Sequence, residues 1–382
     1  MEAERHTLQV LVKKTAPLVS IALVLLVSSS ASALATKPLQ TWGTDGRVEA
    51  TVYLNGVVYI GGMFTHAIDP VTGEERVRHD LLAIDAATGA LLPWAPDVEC
   101  PANDTRITCT VPRVRAMSTN GTDIFVGGRF TAVDGVKDLM WVILHSDGGQ
   151  VDTQGQRTNA EVTGMAFDGP VLYVGGTFTK FDGDPHDKKL SALDTSVSPP
   201  IPEPNYDPIV DDVVRGIAVL PNHDIVIGGQ FTSVMGAPRA YIAGLTPDLR
   251  VTRWATFPSH ELWDVTTDGT SVFAGRGGGL GGQLLAFDPS NGSKLWGIAG
   301  NGDVQAVCMF GGKIIAGGHF TAMHSISVKR LMSVSLSGLI DASWKPNPDS
   351  TKGVWSVAPG GSLLLVGGDF LDVGKTYQPH FA

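Results

Sequence analysis

The sequence predicts an all-β chain made of seven copies of one four-stranded unit, and three observations predict it. The first is a recurring Gly-Gly-x-Phe, in "YIGGMF", "FVGGRF", "YVGGTF", "VIGGQF", "IAGGHF" and "LVGGDF". The second is a V-x-small run shortly before each copy, as in "VEAT", "VRAM", "VTGM" and "VRGI". The third is composition: 43% hydrophobic residues exclude disorder, and 46 glycines without every-third spacing exclude collagen. A period near 50 residues with strand-like content is that of propeller blades. The fold class expected is therefore a single seven-bladed β-propeller with four-stranded blades.

The N-terminus comes first. Lys13 and Lys14 precede the apolar "APLVSIALVLLV" and then "SSSASALA", with small residues at A-x-A spacing. This reads as a secretory signal over 1–35, with cleavage after Ala33 or Ala35, leaving 36–382 as the propeller. The apolar run is short for a membrane span, and no later stretch is long and apolar enough for one.

The repeat follows. The second Gly of each copy falls at 62, 128, 176, 229, 318 and 368. The gap from 229 to 318 is about twice the others, and "SVFAGRGGG" fills it, with Gly275 at the expected place and Gly277 where Phe should be. Within a copy, V-x-small, a turn such as "NG" or "DG", and the glycine run form a hairpin. A third strand ("DLLAID", "KLSALD", "YIAGLT", "QLLAFD") and a fourth segment often ending in Trp ("GALLPW", "GSKLW", "GLIDASW") complete it. The runs are apolar on both faces, as stacked sheets require.

The ends supply a check. The seventh copy stops at "YQPHFA", the start of a third strand, while "KPLQTW" near the N-terminus has the look of a fourth. The N-terminal segment is expected to complete the last blade and close the ring, removing open edges.

This "YVGGxFT…G…LAxLD…G…W" pattern, over nearly the whole chain after the leader, resembles the delta-sixty-type GGxF β-propeller repeat family of exported bacterial proteins; fungal cortical polarity markers are similar. The resemblance implies a secreted or surface propeller and no settled biochemical activity.

Several residues invite a chemical reading. Cys100 and Cys109 bracket "CPANDTRITC" and are expected to form a disulfide; Cys308, in an apolar run, reads as a buried free thiol. The glycines are not a phosphate cradle, since no helix and no G-x-x-x-x-G-K-[ST] follows. "AFDPSNGSKLW" has the spacing of tryptophan-docking repeats in quinoprotein dehydrogenases, but that motif packs blades. Asp134, Asp182, Asp184 and Asp372 precede or neighbour glycines and read as turn residues, not calcium ligands. His319 and His324 lack a third zinc ligand. No G-x-S-x-G is present. Asn103, Asn120 and Asn291 are glycosylation acceptors only in a eukaryotic host.

One constellation remains. First strands of propeller blades line the channel, so the variable residue of V-x-small recurs around it: Glu49, Arg115, Thr163, Arg215, Trp263, Gln305 and Trp355. Two Arg, a Glu and two Trp on one rim suit a carboxylate-bearing or sugar-like ligand. The alternative is a solvated lining with no ligand. A net charge of −10 argues against nucleic acid. The expected function is an exported binding or interaction module at the cell surface or outside it, with a protein or glycan partner, no cofactor and no catalytic or metal residues assigned. The competing class is an enzyme using the central pocket, a polysaccharide hydrolase or lyase or a quinone-dependent oxidoreductase.

Overall fold

The computed structural model describes residues 34–101, 109–137, 140–151, 157–181, 188–254, 258–278 and 281–382. Residues 1–33 of the expected leader, with Asp182, Asp184 and Asn103, lie outside the described residues. Every regular element described is a strand. No helix among the described residues is long and apolar enough to cross a membrane.

Seven antiparallel hairpins follow one another among the described residues. They are Arg47–Leu54 with Val57–Met63, Arg113–Thr119 with Ile124–Arg129, Val162–Asp168 with Val171–Gly176, and Val214–Val219 with Ile225–Gly229. Leu262–Thr267 with Val272–Arg276, Val304–Phe310 with Lys313–Gly318, and Val354–Gly360 with Leu363–Gly368 complete the set. The first strand of each hairpin packs against that of the next, and that of the seventh packs against that of the first. Thr51 and Ser356 join the seventh to the first through a hydroxyl pair at 2.9 Å.

The two glycines have different duties. A Cβ on the first would lie closer than 3.0 Å to an apolar side chain or backbone atom of the following hairpin: Gly127 faces Val162, Gly317 faces Val354, and Gly367 faces Val48. A Cβ on the second would collide with its own hairpin's carbonyl, such as Arg47 O at Gly62, Arg113 O at Gly128 and Val213 O at Gly229. One glycine lets neighbouring sheets approach; the other lets the two strands of one hairpin approach.

The Phe is buried in all six complete copies (Phe64, Phe130, Phe178, Phe231, Phe320 and Phe370). Its carbonyl accepts from the amide of a left-handed residue just before the third strand: Asp80, Met140, Lys189, Tyr241, Arg330 or His380, with φ of 61–71°. The carbonyl of that same residue accepts from the second Gly, at 2.9–3.1 Å. Two backbone bonds thus offset the cost of about 1–2 kcal/mol that a non-glycine residue incurs in this region. Third strands then pair with the glycine strands, as Leu81–Asp85, Leu190–Asp194 and Gln283–Phe287 do.

Fourth strands are uneven. Gln150–Val151, Ile201–Pro202 and Lys294–Ala299 pair as strands, whereas the first, fourth and sixth units have a single bridge (Ile84 to Leu91, Leu245 to Val251, Val334 to Ile340). Trp side chains do the joining instead. Trp94, Trp254 and Trp296 donate from Nε1 to His145 O, Pro289 O and Leu336 O of the next unit, at 2.8–3.1 Å. The "AFDPSNGSKLW" spacing is thus inter-unit docking. Trp344 donates to Ala35 O at 2.8 Å, and Gln378 Nε2 donates to Thr41 O at 2.8 Å. The "KPLQTW" segment lies against the last unit by the Gln378 bond but forms no strand. Pro38 has no N–H to offer a ladder.

The core has no single centre. Seven clusters of buried side chains each span two successive hairpins, the last joining Leu365 and Phe381 to Val48, Val58 and Ile60.

Register corrects one alignment. Gly275 faces Asp264 and Arg276 faces Leu262, so Gly275 is the counterpart of the first glycine, not the second. Arg276 stands where every other hairpin has its second Gly, and Gly278, not Gly277, takes the Phe position.

Replacing Gly229 by Ala is expected to cost about 3 kcal/mol or more, because the Val213 carbonyl cannot retreat without breaking the hairpin. Gly135, with φ of 73° and open space around its Cβ direction, is expected to cost only about 1 kcal/mol on the same change. Chemical denaturation of the two variants checks this, and equal losses would contradict it.

Candidate functional site

Every hairpin carries a β-bulge at the same place. The register slips between Val48 and Ala50, Val114 and Ala116, Val162 and Gly164, and Val214 and Gly216. It slips again between Leu262 and Asp264, Val304 and Ala306, and Val354 and Ser356. The extra residue is the middle one each time: Glu49, Arg115, Thr163, Arg215, Trp263, Gln305 and Trp355. A bulge leaves that residue out of the ladder and re-aims its side chain. The Gly-Gly pair, or Gly275–Arg276 in the fifth hairpin, sits directly across, and each second Gly admits the carbonyl of the residue just ahead of V-x-small.

All seven bulge residues line one cavity of about 190 Å³. The sequence reasoning named these seven, and the fold brings them together.

The cavity wall is held by ion pairs and rings. Glu49, with a side chain only 2% exposed, accepts from Arg47 Nε at 2.7 Å and lies 3.4 Å from Arg115 Nη1. Arg113 makes a two-pronged pair with Glu161, 2.7 Å on each prong. Arg215 Nη2 donates to Glu261 at 3.2 Å, and Gln230 donates to the same carboxylate. Trp263 and Trp355 meet edge to face, centroids 5.7 Å apart. Arg47 lies over Trp355 at 4.6 Å, Arg215 over Trp263 at 4.0 Å, and Arg115 within 6 Å of both rings (5.9 and 5.6 Å). Thr163 Oγ1 donates to Val214 O at 2.6 Å.

Arg47, Arg113, Glu161 and Glu261 were not singled out from sequence. Their signal was available: each immediately precedes the V-x-small run or its Leu262 equivalent, and charge recurs there. Asp264 was also missed. It occupies the small position, where other units carry Ala50, Ala116, Gly164, Gly216, Ala306 and Ser356. Its carboxylate accepts from Val265 N and from Val307 N of the next hairpin, both at 2.8 Å.

One glycine of the fifth unit's irregular run answers to the cavity. A Cβ on Gly277 would collide with the Trp263 indole nitrogen. Trp263 thus requires a residue without a side chain at Gly277, whereas the seventh unit places Trp355 in the same cavity and keeps its Gly-Gly-x-Phe.

Burial governs the electrostatics. It pulls Arg115 and Arg215 below the ordinary guanidinium range, against the pull of Glu49 and Glu261. It opposes Arg113 too, but the Glu161 pair outweighs it and the group sits above the ordinary value. Asp264 is pushed up to about 7 by burial despite its two amide donors. The Cys308 thiol is pushed far up by burial, with Asp264 adding. It is a buried free thiol, as expected.

The other candidates are structural. Cys100 and Cys109 are bonded, with Cα atoms 5.4 Å apart. Asp134 accepts from Asp97 N at 2.8 Å in a left-handed turn, and the amide of Asp372 donates to Asp349. Asn120 and Asn291 accept from backbone amides two or three residues on. His319 lies 3.5 Å from Asp303, while His324 sits in a left-handed turn. Among the described residues, no three His, Cys, Asp or Glu side chains group to hold a metal. A second cavity, of about 740 Å³, is lined by Asp45, His79, Asp80 and Asp97. Those side chains are already tied down: Asp45 to Thr65 and His66, Asp80 to Phe64 N, and Asp97 to His79.

No protein-family model matches the chain, and no curated protein matches it. Solved structures do. The chain is similar to the WD40 β-propeller domain of Doa1, at TM-score 0.51 and 12% identity, over 90% of this chain and 96% of that one. The Dos1 propeller (TM-score 0.49, 12% identity, 87% and 82% covered) and the computationally designed Ika8 protein (0.47, 12%, 88% and 86%) also match. At this identity the first likeness shows the fold alone: an all-β propeller.

Two buried carboxyls set a pH dependence. Asp80 is pushed from 3.8 up to about 8, chiefly by burial, with Glu49, Asp97 and Asp45 adding. The folded state therefore holds these protons more tightly than the unfolded state. The contribution of these two groups to stability is whole below about pH 4 and is lost as pH rises, through about 7 for Asp264 and about 8 for Asp80. Asp80→Asn keeps the acceptor for Phe64 N and tolerates the left-handed backbone. It is expected to leave Tm unchanged near pH 4 and to raise it by several degrees near pH 9. An identical Tm–pH slope in variant and wild type would count against this account.

Proposed function

We propose that the chain is an exported seven-bladed β-propeller that acts as a binding module, recognising a protein or glycan at the cell surface or outside it through its central cavity. One observation carries the reading: the most variable residue of the repeated V-x-small run lines a single cavity in all seven hairpins. A position that served packing alone has no reason to be Glu, Arg, Thr, Arg, Trp, Gln and Trp in turn. Aromatic and Arg side chains are those on which binding energy concentrates.

The succession of first-strand contacts, returning from the seventh hairpin to the first, supports a closed ring. Trp344 to Ala35 and Gln378 to Thr41 support closure by the N-terminal segment. Export is supported by the positive, apolar and A-x-A sequence of the first residues and by the Cys100–Cys109 bond, which belongs to oxidising compartments. The resemblance to the GGxF repeat family of exported proteins points the same way.

The test uses the secreted full-length product, mass-analysed to confirm a mature start after Ala33 or Ala35 and then applied to glycan and surface-protein arrays. Trp355→Ala and Arg215→Ala are expected to weaken the saturable signals at least about tenfold while the protein stays folded. Array binding untouched by both variants, or stoichiometric quinone with turnover, would overturn the reading.

A further inference from the structure

Arg115 and Arg215 line the cavity; with Arg47 and Arg113 they form four guanidinium groups in ion pairs with three carboxylates, Glu49, Glu161 and Glu261. The pairs are unequal. Arg113 owns both oxygens of Glu161, and Arg47 binds Glu49 closely. Arg115 is left with one contact to Glu49, at 3.4 Å, beyond good hydrogen-bond length. It is the under-paired cation of the cavity, its side chain 14% exposed, and it stands beside both Trp rings. Asp264 makes no ion pair with Arg115, since its oxygens accept from two backbone amides, and burial, which pushes it up to about 7, keeps it uncharged at pH 6.

A second observation points to a ligand. Gln305 is a cavity-lining side chain only 8% exposed, and its Oε1 has no hydrogen-bond partner; Arg215 Nε is likewise buried and unpartnered. Buried polar atoms left without partners cost about 1–3 kcal/mol each. A ligand carboxylate, which only accepts, can serve Arg215 Nε; Gln305 Oε1, buried beside Gly353, needs a donor such as a ring hydroxyl.

We propose that the cavity takes a carboxylate carried on a compact ring, the carboxylate on the free prongs of Arg115 and the ring against Trp263 and Trp355. A carboxylate matches a guanidinium in charge and in its planar fork. A ring suits the two indoles, and the space of about 190 Å³ admits a single ring but not a drug-sized molecule. A cationic ligand would face surplus positive charge. This proposal rests on the binding reading above and names its ligand chemistry.

The test is calorimetric titration of the full mature chain at about pH 6, where Asp264 retains its proton. The probes are sodium glucuronate and sodium benzoate, with glucose and benzyl alcohol as their uncharged counterparts. At least one acid is expected to bind at least about tenfold tighter than its neutral partner, the difference that one charge-assisted pair supplies. Arg115→Gln is expected to remove that preference, and Arg115→Lys, which keeps the charge without the fork, to retain part of it. Glucuronate binding tighter than benzoate supports a sugar acid; the reverse supports an aromatic acid. Equal binding of acids and neutral rings, or an acid preference that survives in both Arg115 variants, overturns the carboxylate proposal. So does the absence of any ring binding. In each case the binding-module reading survives if Trp355→Ala still abolishes array binding, and falls with the proposal if it does not.

Discussion

A carbonyl group pressed against a glycine is the contact on which this structure depends. Adding one residue to the first strand of each hairpin displaces a backbone carbonyl toward the partner strand. In six of the seven hairpins a residue without a Cβ admits it there, as the approaches at Gly62, Gly128, Gly229 and Gly318 show; the fifth carries its bulge with Arg276 in that place. In exchange, the added residue leaves the ladder and its side chain is released from sheet packing. Scaffold and site are therefore made by one device. The recurrent glycines face the bulge; the bulge presents the variable residue.

The remaining regularities follow from stacking such hairpins. The first Gly of the pair lets the next sheet close on it, so apolar side chains meet in the gaps between sheets, and the core divides into clusters that each join two hairpins. Phe anchors the end of each glycine strand and lends its carbonyl to the left-handed residue that turns the chain into the third strand. An Asp or Asn below the strand caps the turn that follows, as Asp45, Asn159, Asp211 and Asn301 do by accepting from Thr65, Thr179, Thr232 and Thr321 amides at 2.8 Å. Outer Trp side chains tie unit to unit where fourth strands are too short to do so.

Much of this was legible in the sequence because repetition averages away local ambiguity. A single "YIGG" is a weak signal; six with a shared Phe, a preceding V-x-small run and a trailing Trp are a strong one. The seven cavity residues were legible for the opposite reason, since they vary inside a conserved frame within one chain. What escaped were features set by register. Gly275 was aligned one residue off because "AGRGGG" offers several glycines, and only pairing with Asp264 fixes the frame. The charged residues ahead of V-x-small escaped because a strand's first residue points to either face with equal ease in sequence. Asp264 escaped because a carboxylate in a small-residue position looks like noise until its two amide donors come from different hairpins. The segment "KPLQTW" was read as a strand, but it forms none, and Thr41 is tied to the last unit by the Gln378 side chain.

The most direct measurement is a crystal structure of the mature chain at a resolution that places side chains and carbonyls. The account predicts seven bulges, each with its extra residue opposite Gly-Gly or its Gly275–Arg276 equivalent, and the side chains of Glu49, Arg115, Thr163, Arg215, Trp263, Gln305 and Trp355 in one cavity. Regular ladders through these positions, or any of the seven side chains packed between neighbouring sheets, would contradict it.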